Sequence, residues 1–496
     1  MKELYQYQKE DVEKLLDLPY GLIASEMGTG KSYEGIALSV EWLKQVYEGS
    51  GKLLPILIIC PINTFSSWAD KFAEQCPALD VKVIDRKYRG EFLLDIVAKK
   101  HDVYIMHWAG INYLAQYFKK YKIVFSAVVA DEVHAIANRN SKTKSSLASI
   151  KTYSKLGLSG TPCGDKPWQL WSILNWLDPE RYSSYWTFVN RYVEEEYEIV
   201  KRKKRDSDQV YYDRYRVFKT PKNLSLLHRS IEPFYVRHLK MEKCCDHHPD
   251  GVMSWLPEKT YETLTVELSP KQRKAYNEMR DNMVAWLGEV EDTPLVASIV
   301  VAQLTRLGQM TLATPLVTTE PVEYFDNNGD LQTDFKTNVD LEFPSTKFNL
   351  LKDIVTEYEE KQFLVFTSSK KMAKLTVAEL NRLGISAVEI SGDTPEFKRQ
   401  ALTKEFAAKK FRIIVAVIVA AAEGIDGLQD VCDTAIFLDR SYRTIKNMQA
   451  EDRLHRGGQT KRVTIIDIVA EDTVDIDRQE LLSTKWQNIK MILDRK

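Results

Sequence analysis

Three short segments of this chain hold residue types that together could move a phosphoryl group. Met27-Gly28-Thr29-Gly30-Lys31-Ser32 sets two glycines ahead of a lysine and a hydroxyl. Such glycines let backbone N–H groups of the Gly28, Thr29 and Gly30 stretch wrap around phosphate oxygens at a helix N-terminus. Lys31 would then meet the β- and γ-phosphates of ATP, and the Ser32 hydroxyl would bind Mg2+. Ser25 stands where the general pattern wants a glycine, so the strict form of the motif is not satisfied. Asp131 and Glu132 follow an apolar run ending at Ala130. At that strand end Asp131 can hold Mg2+ through water, and Glu132 can accept a proton from an attacking water. Late in the chain, Arg453 and Arg456 stand three residues apart in Glu451–Thr460. On a helix they would share one face and both reach a phosphate, stabilising the charge that spreads over a γ-phosphoryl transition state. Each segment also has a plainer reading: a structural turn, a solvated acidic pair, and a basic helix face paired with Glu451 and Asp452.

A phosphate loop early, an acidic pair in the middle and paired arginines late form the layout of a two-lobed ATP motor. The elements that must position them are legible. Leu22-Ile23-Ala24, Leu57 to Cys60, Val103 to Met106 and Ala127 to Ala130 read as buried strands. After Lys31, the spacing of Ile36, Val40, Leu43 and Tyr47 predicts a helix. Unbroken apolar strands separated by helices imply a parallel sheet covered on both faces. The same alternation returns at Phe363 to Phe366, Ile413 to Ala416, Ala435 to Leu438 and Val463 to Ile466. The fold class is therefore α/β, with two parallel-sheet lobes and helical insertions. The boundaries are a first lobe at 1–165, a helical insertion and return at 166–242, and a connector at 243–260. A second helical insertion follows at 261–345, then the second lobe at 346–475 and a C-terminal helix at 476–496. In the first insertion Trp168, Trp171, Trp176 and Trp186 recur at helical intervals; in the second, Gln272, Tyr276, Met279 and Met283 share a face, and Asn327-Asn328-Gly329 signals a turn.

With 496 residues, the chain is too long for one ordinary domain. Six cysteines without regular spacing suggest a reducing compartment and no disulfide framework. No run is apolar and long enough to span a bilayer, and the first residues lack a signal core. A formal net charge of −1 leaves a nucleic-acid partner open, provided that positive charge is concentrated locally.

The segments taken together resemble the Swi/Snf-type helicase-like ATPases, the chromatin-remodelling branch of helicase superfamily 2. The resemblance runs from about Leu4 to Thr473. Leu4 to Gln8 is similar to the family's leading glutamine motif, which implies that Gln8 reads adenine. Ala24 to Ser32 resembles its phosphate loop, and Pro61 to Trp68 the motif after it. Asp131-Glu132-Val133-His134, continuing into Asn138 to Lys142, resembles its acidic box. Leu158-Ser159-Gly160-Thr161-Pro162 resembles the motif that couples hydrolysis to DNA movement. Trp171 to Pro179 and Leu256 to Lys259 resemble the start of the first insertion and the linker after it. Ser391-Gly392-Asp393 with Arg399, Ala422 to Leu428 and His455-Arg456-Gly457-Gly458-Gln459 resemble second-lobe motifs. The resemblance thus implies coupling roles for His134, Ser159, Thr161 and Gln449, nucleotide contacts from Gly424 and Asp426, and arginine fingers at 453 and 456. The departures are Ala137 for the usual lysine, Asp165 for an asparagine, and Tyr442, Arg443 and Thr444 for tryptophan, asparagine and proline.

What this implies is a pair of RecA-like lobes with helical insertions, and a DNA-stimulated ATPase using ATP and Mg2+ in the cleft between them. It would translocate on DNA, duplex rather than single-stranded, and remodel or displace DNA-bound proteins. Two other functions stay open: a strand-separating helicase or restriction/repair motor, and an ATP-controlled clamp or polymerase-associated factor. The economy of the chain suggests a minimal viral or bacterial enzyme, monomeric and cytoplasmic, or nuclear in a eukaryote. Among lesser signals, Lys201-Arg202-Lys203-Lys204-Arg205 reads as a solvated face, a DNA contact or an import signal. Cys244-Cys245-Asp246-His247-His248 lacks zinc-site spacing and reads as a connector. Lys142, Lys144, Ser368 and Lys370 are candidate contacts to a phosphate backbone.

Overall fold

The computed structural model describes residues 3–84, 89–164, 166–203, 210–243, 248–282, 284–286, 294–296, 300–325, 331–422 and 427–494. Asp165, Lys204, Arg205, Cys244 to His247, Met283, the Asn327-Asn328-Gly329 turn, Gly424 and Asp426 lie outside the described residues. The chain divides into two compact units: residues 1–255 with 484–496, and residues 256–483. Among the described residues no helix is long and apolar enough to cross a membrane.

The first unit is built on β1 (Tyr20–Ile23), β2 (Ile56–Cys60), β3 (Val81–Val83), β4 (Val103–His107), β5 (Val124–Asp131) and β6 (Lys151–Leu158). A hairpin of β7 (Val193–Lys203) and β8 (Val210–Pro221) stands apart, and β9 (Tyr235–Val236) completes the main sheet. Seven strands run in the order β3-β4-β2-β5-β6-β1-β9, and every pairing is parallel. β2 is buried along its whole length, as its unbroken run Ile56 to Cys60 requires of a strand covered on both faces. β6 escaped the sequence reading because Lys151 and Tyr153 remain exposed while Leu156 and Leu158 are buried. Trp42 from helix Lys31–Ser50, Phe72 and Phe118 close the core against these strands. Ile489, Ile492 and Leu493 join the same core from the C-terminal end.

This order decides where the chemistry falls. In a parallel sheet all carboxyl ends lie along one edge, and β5, β6, β1 and β9 are consecutive neighbours. The segments after them (Asp131 to His134, Ser159 to Thr161, Ala24 to Lys31, and Arg237 to Lys240) are therefore adjacent, although they are far apart in sequence.

The stretch 166–242 is not helical throughout. Helices Leu170–Leu177, Tyr185–Tyr192 and Leu224–Ile231 are interrupted by the β7–β8 hairpin. The tryptophan spacing that predicts helix ends near Tyr192; beyond it Tyr197, Ile199, Val200, Tyr211, Tyr212 and Val217 favour strand.

In the second unit β10 (Lys259–Val266) pairs with β19 (Val463–Ala470) and opens a six-stranded parallel sheet. Its other members are β15 (Phe363–Thr367), β16 (Ala387–Ile390), β17 (Ile413–Val417) and β18 (Thr434–Phe437), in the order β10-β19-β18-β15-β17-β16. Phe363, Val365, Ile413, Val415 and Ile436 pack on one face, and Leu364, Phe366, Ile414, Ala416 and Phe437 on the other. Period-two alternation between two covered faces is what turns these strands into continuous apolar runs. The stretch 261–345 is likewise mixed. Helices Pro270–Asn282 and Val300–Leu312 are accompanied by a short pair, β11 (Val284–Trp286) and β12 (Pro294–Val296). The long hairpin of β13 (Thr314–Phe325) and β14 (Leu331–Glu342) follows. Gln272, Tyr276 and Met279 are buried together on their helix, as the spacing predicts. Two helix-covered parallel sheets make the chain an α/β protein of two RecA-like lobes.

Candidate active site

β1 gives way to a loop that ends where helix Lys31–Ser50 begins. Gly28 and Gly30 have φ of +86° and +93°, a left-handed conformation that strains any residue with a Cβ. A Cβ at Gly30 would also stand 2.5 Å from the Gln8 amide nitrogen. Gln8 is packed directly on the loop, donating to the carbonyls of Thr29 (3.2 Å) and Gly30 (3.5 Å). The Tyr7 hydroxyl donates to Thr29 O at 2.5 Å. The Lys31 ammonium donates to the carbonyls of Ser25 (2.8 Å) and Glu26 (2.9 Å). Burial lowers its pKa, against the raising influence of Glu132, Asp131 and Glu34. The serine at position 25 has a structural use of its own, because its hydroxyl accepts the His238 N–H at 3.0 Å.

Asp131 closes β5. Its carboxylate accepts the Trp68 indole N–H at 2.9 Å and the Glu132 N–H at 3.0 Å, while its carbonyl accepts from Trp108 at 3.0 Å. Burial and the adjacent Glu132 push its pKa up to about 6, with the Trp68 bond and Lys31 pulling the other way. Glu132 has φ of +51°, an uncommon conformation for a residue of its kind. That turn aims its side chain at the segment after β6. His134 Nδ1 lies 3.1 Å from Glu132 Oε2 and 3.2 Å from Ser159 Oγ. The Ser159 hydroxyl is 3.4 Å from Glu132 Oε2, and the Thr161 N–H donates to Ser159 Oγ at 3.2 Å. The structure thus brings Gln8, Gly28 to Ser32, Asp131, Glu132, His134, Ser159 and Thr161 to one edge of the first sheet. This set fits Mg2+ and a nucleoside triphosphate. Positive-φ glycines and a buried ammonium suit phosphate, and the oxygens of Ser32 and Asp131 suit a hard cation.

Sequence reasoning missed a buried charge cluster behind the loop. Arg237 donates to Ala24 O (2.6 Å) and Gly160 O (3.0 Å) and pairs with Asp494 at 2.8 Å. His238 Nε2 lies 2.9 Å from an Asp11 carboxylate oxygen. Glu34 is fully buried, and neither carboxylate oxygen has a hydrogen-bond partner of ordinary geometry. Burial and Asp11 push its pKa up to about 8, against His238, Lys31 and Gln8. The one available signal was an acid beside the buried Gly35, Ile36, Leu38 and Ser39. Such an acid keeps its proton when folded and releases it at about the ordinary 4.5 when unfolded. It therefore opposes folding progressively as pH rises from 4.5 towards 8. Glu34→Gln removes that titration. Between pH 5 and pH 8 the variant should gain on the parent by about 3–4 kcal/mol. Urea unfolding of both proteins at the two pH values checks this, and a pH-independent difference would refute it.

In the second unit, helix Thr444–Glu451 ends before the arginines, so Arg453 and Arg456 do not share a helix face. The Arg453 N–H reaches back to Ala450 O at 3.2 Å, and those of Leu454 and His455 to Glu451 O at 3.1 and 3.3 Å. These short-range bonds tighten the chain into a turn that continues through Gly458, whose φ is +101°. Leu454 and His455 are buried, and the two arginines are half-buried in the same turn. His455 Nε2 lies 2.9 Å from Pro257 O, and the Gln459 amide donates to Cys432 O at 3.1 Å. Gln449 is buried in the preceding helix. Arg399 ties Ser391, Thr394 and Ala420 together through their carbonyls. Lys144 donates to Asn175, Ser368 to Asp439 and Lys370 to Asp393, so each of these three has an internal partner. Lys142 is exposed.

Glu451 anchors the turn. Its carboxylate meets Lys259 at 2.9 Å and the Tyr261 hydroxyl at 2.8 Å, and pairs with Arg440, which also holds Asp467 at 2.6 Å. Burial would raise the Glu451 carboxyl, but Lys259 and Arg440 hold it down at about 2. Its contribution to stability is complete above the ordinary 4.5 and is lost as pH falls towards 2. Glu451→Gln leaves two buried cations undercompensated. It should cost the second unit about 3 kcal/mol at pH 7, with the deficit shrinking below pH 4.5. Chemical denaturation at pH 7 and pH 3.5 measures both effects, and an unchanged midpoint at pH 7 would contradict the anchoring role.

Residues 7–311 match the family model described as SNF2-related domain, and residues 346–458 match the helicase conserved C-terminal domain. The chain is 23% identical over 469 residues to the transcription regulatory protein SNF2 of Saccharomyces cerevisiae, covering 92% of this chain and 25% of the yeast protein. It is 23% identical over 469 residues to the human SWI/SNF-related matrix-associated actin-dependent regulator of chromatin subfamily A member 1, covering 93% and 41%. The chain thus spans only a quarter to two fifths of the length of these curated relatives. Among solved structures, the Sulfolobus solfataricus SWI2/SNF2 ATPase core in complex with dsDNA is similar, with a TM-score of 0.41 and 19% identity over 99% of this chain and 97% of that one.

Proposed function

The chain belongs to the SNF2-related family of helicase-like ATPases, and on that premise we propose that it is an ATP-driven translocase on duplex DNA that remodels or displaces DNA-bound proteins. The observation that carries this reading is the Glu132–His134–Ser159 junction. It links Glu132, to which we assign proton acceptance from water, directly to the segment after β6. Hydrolysis and movement of that segment are coupled through hydrogen bonds. The human regulator of chromatin among its relatives supports duplex DNA as the track.

In this mechanism the backbone of Gly28, Thr29 and Gly30 cradles phosphate, and Lys31 neutralises the β- and γ-phosphates. Ser32 and Asp131 would hold Mg2+, which when bound supplies charge neutralisation between the phosphates. Glu132 orients the attacking water and takes its proton. Gln8 reads the adenine ring, with Gly424 and Asp426 assigned to the nucleotide from the second unit. Arg453 and Arg456 stabilise the transferring γ-phosphoryl group, and Gln449 with Thr161 passes the change of state to the DNA-gripping segments.

The test is steady-state hydrolysis without nucleic acid, with single-stranded DNA, with duplex DNA and with RNA, at two salt concentrations. Stimulation by duplex that weakens with salt, together with displacement of a third strand from a triplex, is the expected result. Preference for a single strand, or unwinding of a plain duplex, would overturn the translocase reading.

A further inference from the structure

Away from the hydrolytic site, the first unit holds a recess of about 340 Å³ beside helices Tyr185–Tyr192 and Leu224–Ile231. Each helix gives one face to it. On the first, Thr187, Phe188 and Arg191 follow the N-cap Ser184 at helical spacing; on the second, Arg229 and Ser230 follow Leu226. Arg181 joins them from the segment before the first helix. Three guanidinium groups therefore line one recess, and no carboxylate stands in its wall. The wall is fixed by bonds of its own. The Tyr182 hydroxyl bonds to the Ser230 hydroxyl and donates to Ser230 O at 3.3 Å. The Asn223 amide donates to Arg191 O at 2.6 Å, and the Asn175 amide to Tyr182 O at 3.0 Å. Phe188 and Tyr192 are buried and give the recess an aromatic side.

Two neighbouring acids are engaged elsewhere. The Asp178 carboxylate accepts the Tyr20 hydroxyl at 2.7 Å and the Arg181 backbone N–H at 3.0 Å, and Glu194 accepts the Thr220 hydroxyl at 2.5 Å. Among the described residues, none of Arg181, Arg191 and Arg229 forms an ion pair with a carboxylate. Like charges around one recess repel each other, and a bound anion offsets that repulsion. Their convergence also decides the kind of anion. A duplex backbone is stiff and asks for charges strung along an open surface. A recess of this size with a few polar groups and an aromatic side is the form of a small-molecule site. Planar guanidinium forks match phosphate oxygens, and the Ser183 and Thr187 hydroxyls supply further donors.

We propose that this recess binds a small phosphate-bearing anion through Arg181, Arg191 and Arg229, at a site separate from that of ATP. The inference does not rest on the translocase reading, which survives its failure. Isothermal titration of the full chain uses inorganic phosphate and phenyl phosphate as probes, with the ATP site filled by a non-hydrolysable analogue. The parent should bind the probes in addition to the analogue. R191Q/R229Q and R181Q should bind them about tenfold more weakly or worse, the effect of losing charge-assisted hydrogen bonds. All three arginines are exposed, so glutamine in their place leaves the Tyr182–Ser230 tie intact. DNA-free hydrolysis at the parent's rate then shows that the variants are folded. Tighter binding of phenyl phosphate identifies an organic phosphate as the ligand, and equal binding identifies free phosphate. A parent that binds neither probe, or variants that bind both as the parent does, would overturn the inference. So would variants that lose duplex affinity from a parent blind to both probes, since that assigns the arginines to a DNA backbone.

Discussion

Glu132→Gln is expected to bind ATP as the parent does and to turn it over about 10²–10⁴-fold more slowly, the range that a general base contributes. The substitution keeps the shape of the side chain and one carbonyl oxygen. That oxygen can still face His134 Nδ1 and the Ser159 hydroxyl, which now lie 3.1 and 3.4 Å from Glu132 Oε2. The fall in rate therefore reports on proton acceptance and not on collapse of the junction. The amide also removes a negative charge that helps to keep Lys31 protonated, but Asp131 still acts in that direction. ATP affinity should change by only a few-fold. Single-turnover hydrolysis and titration with a fluorescent nucleotide separate the two quantities. Normal turnover would displace Glu132 from its assigned role. A parallel loss of rate and affinity would show that the carboxylate holds the loop together instead.

Much of the first site was legible because its parts are local in sequence. Gly28 to Ser32 is a contiguous turn into a helix, and Asp131-Glu132 terminates an apolar strand; both signals survive without tertiary information. The strand order β5-β6-β1-β9 was not legible, since nothing in Lys151–Leu158 or Tyr235–Val236 says which strands they join. That order places Ser159, Arg237 and His238 beside the loop, so the Glu132–His134–Ser159 junction and the Asp11, Glu34 and His238 cluster emerge only from the fold. The hairpins were missed for a different reason. Aromatic and apolar residues such as Trp168 to Trp176 carry a helical period that fades at Tyr192, whereas the strands beyond it have no sheet to bury against and so lack a clean apolar alternation. The paired arginines show the limit of spacing arguments. Three residues separate them, as on a helix face, yet the helix stops at Glu451, whose side chain is held by Lys259, Tyr261 and Arg440, and the arginines fall in the turn that runs on through Gly458.

That anchoring gives the second large prediction its meaning. Arg456→Ala is expected to lower turnover by about 10³-fold or more, the effect of removing a guanidinium from a developing γ-phosphoryl charge, with little change in ATP affinity. Leu454 and His455 pack the turn from inside, and the His455 contact to Pro257 O at 2.9 Å fixes its direction. The turn should therefore keep its path when a half-buried arginine is shortened. Arg456→Lys retains the charge but loses the planar fork, and should recover only part of the rate. Arg453→Ala, measured in the same way, says whether both guanidinium groups act on the transition state. Equal losses with unchanged ATP affinity mean that they do, while an active Arg456→Ala enzyme assigns the task to Arg453 alone. Glu451→Gln supplies the contrast. If the buried network serves to aim the turn, that variant should lose turnover at temperatures well below its own unfolding transition while ATP binding, assigned mainly to the loop of the first unit, is kept. A stable Glu451→Gln chain with full turnover would confine Glu451 to holding the second unit together and leave the direction of the arginines to Leu454 and His455.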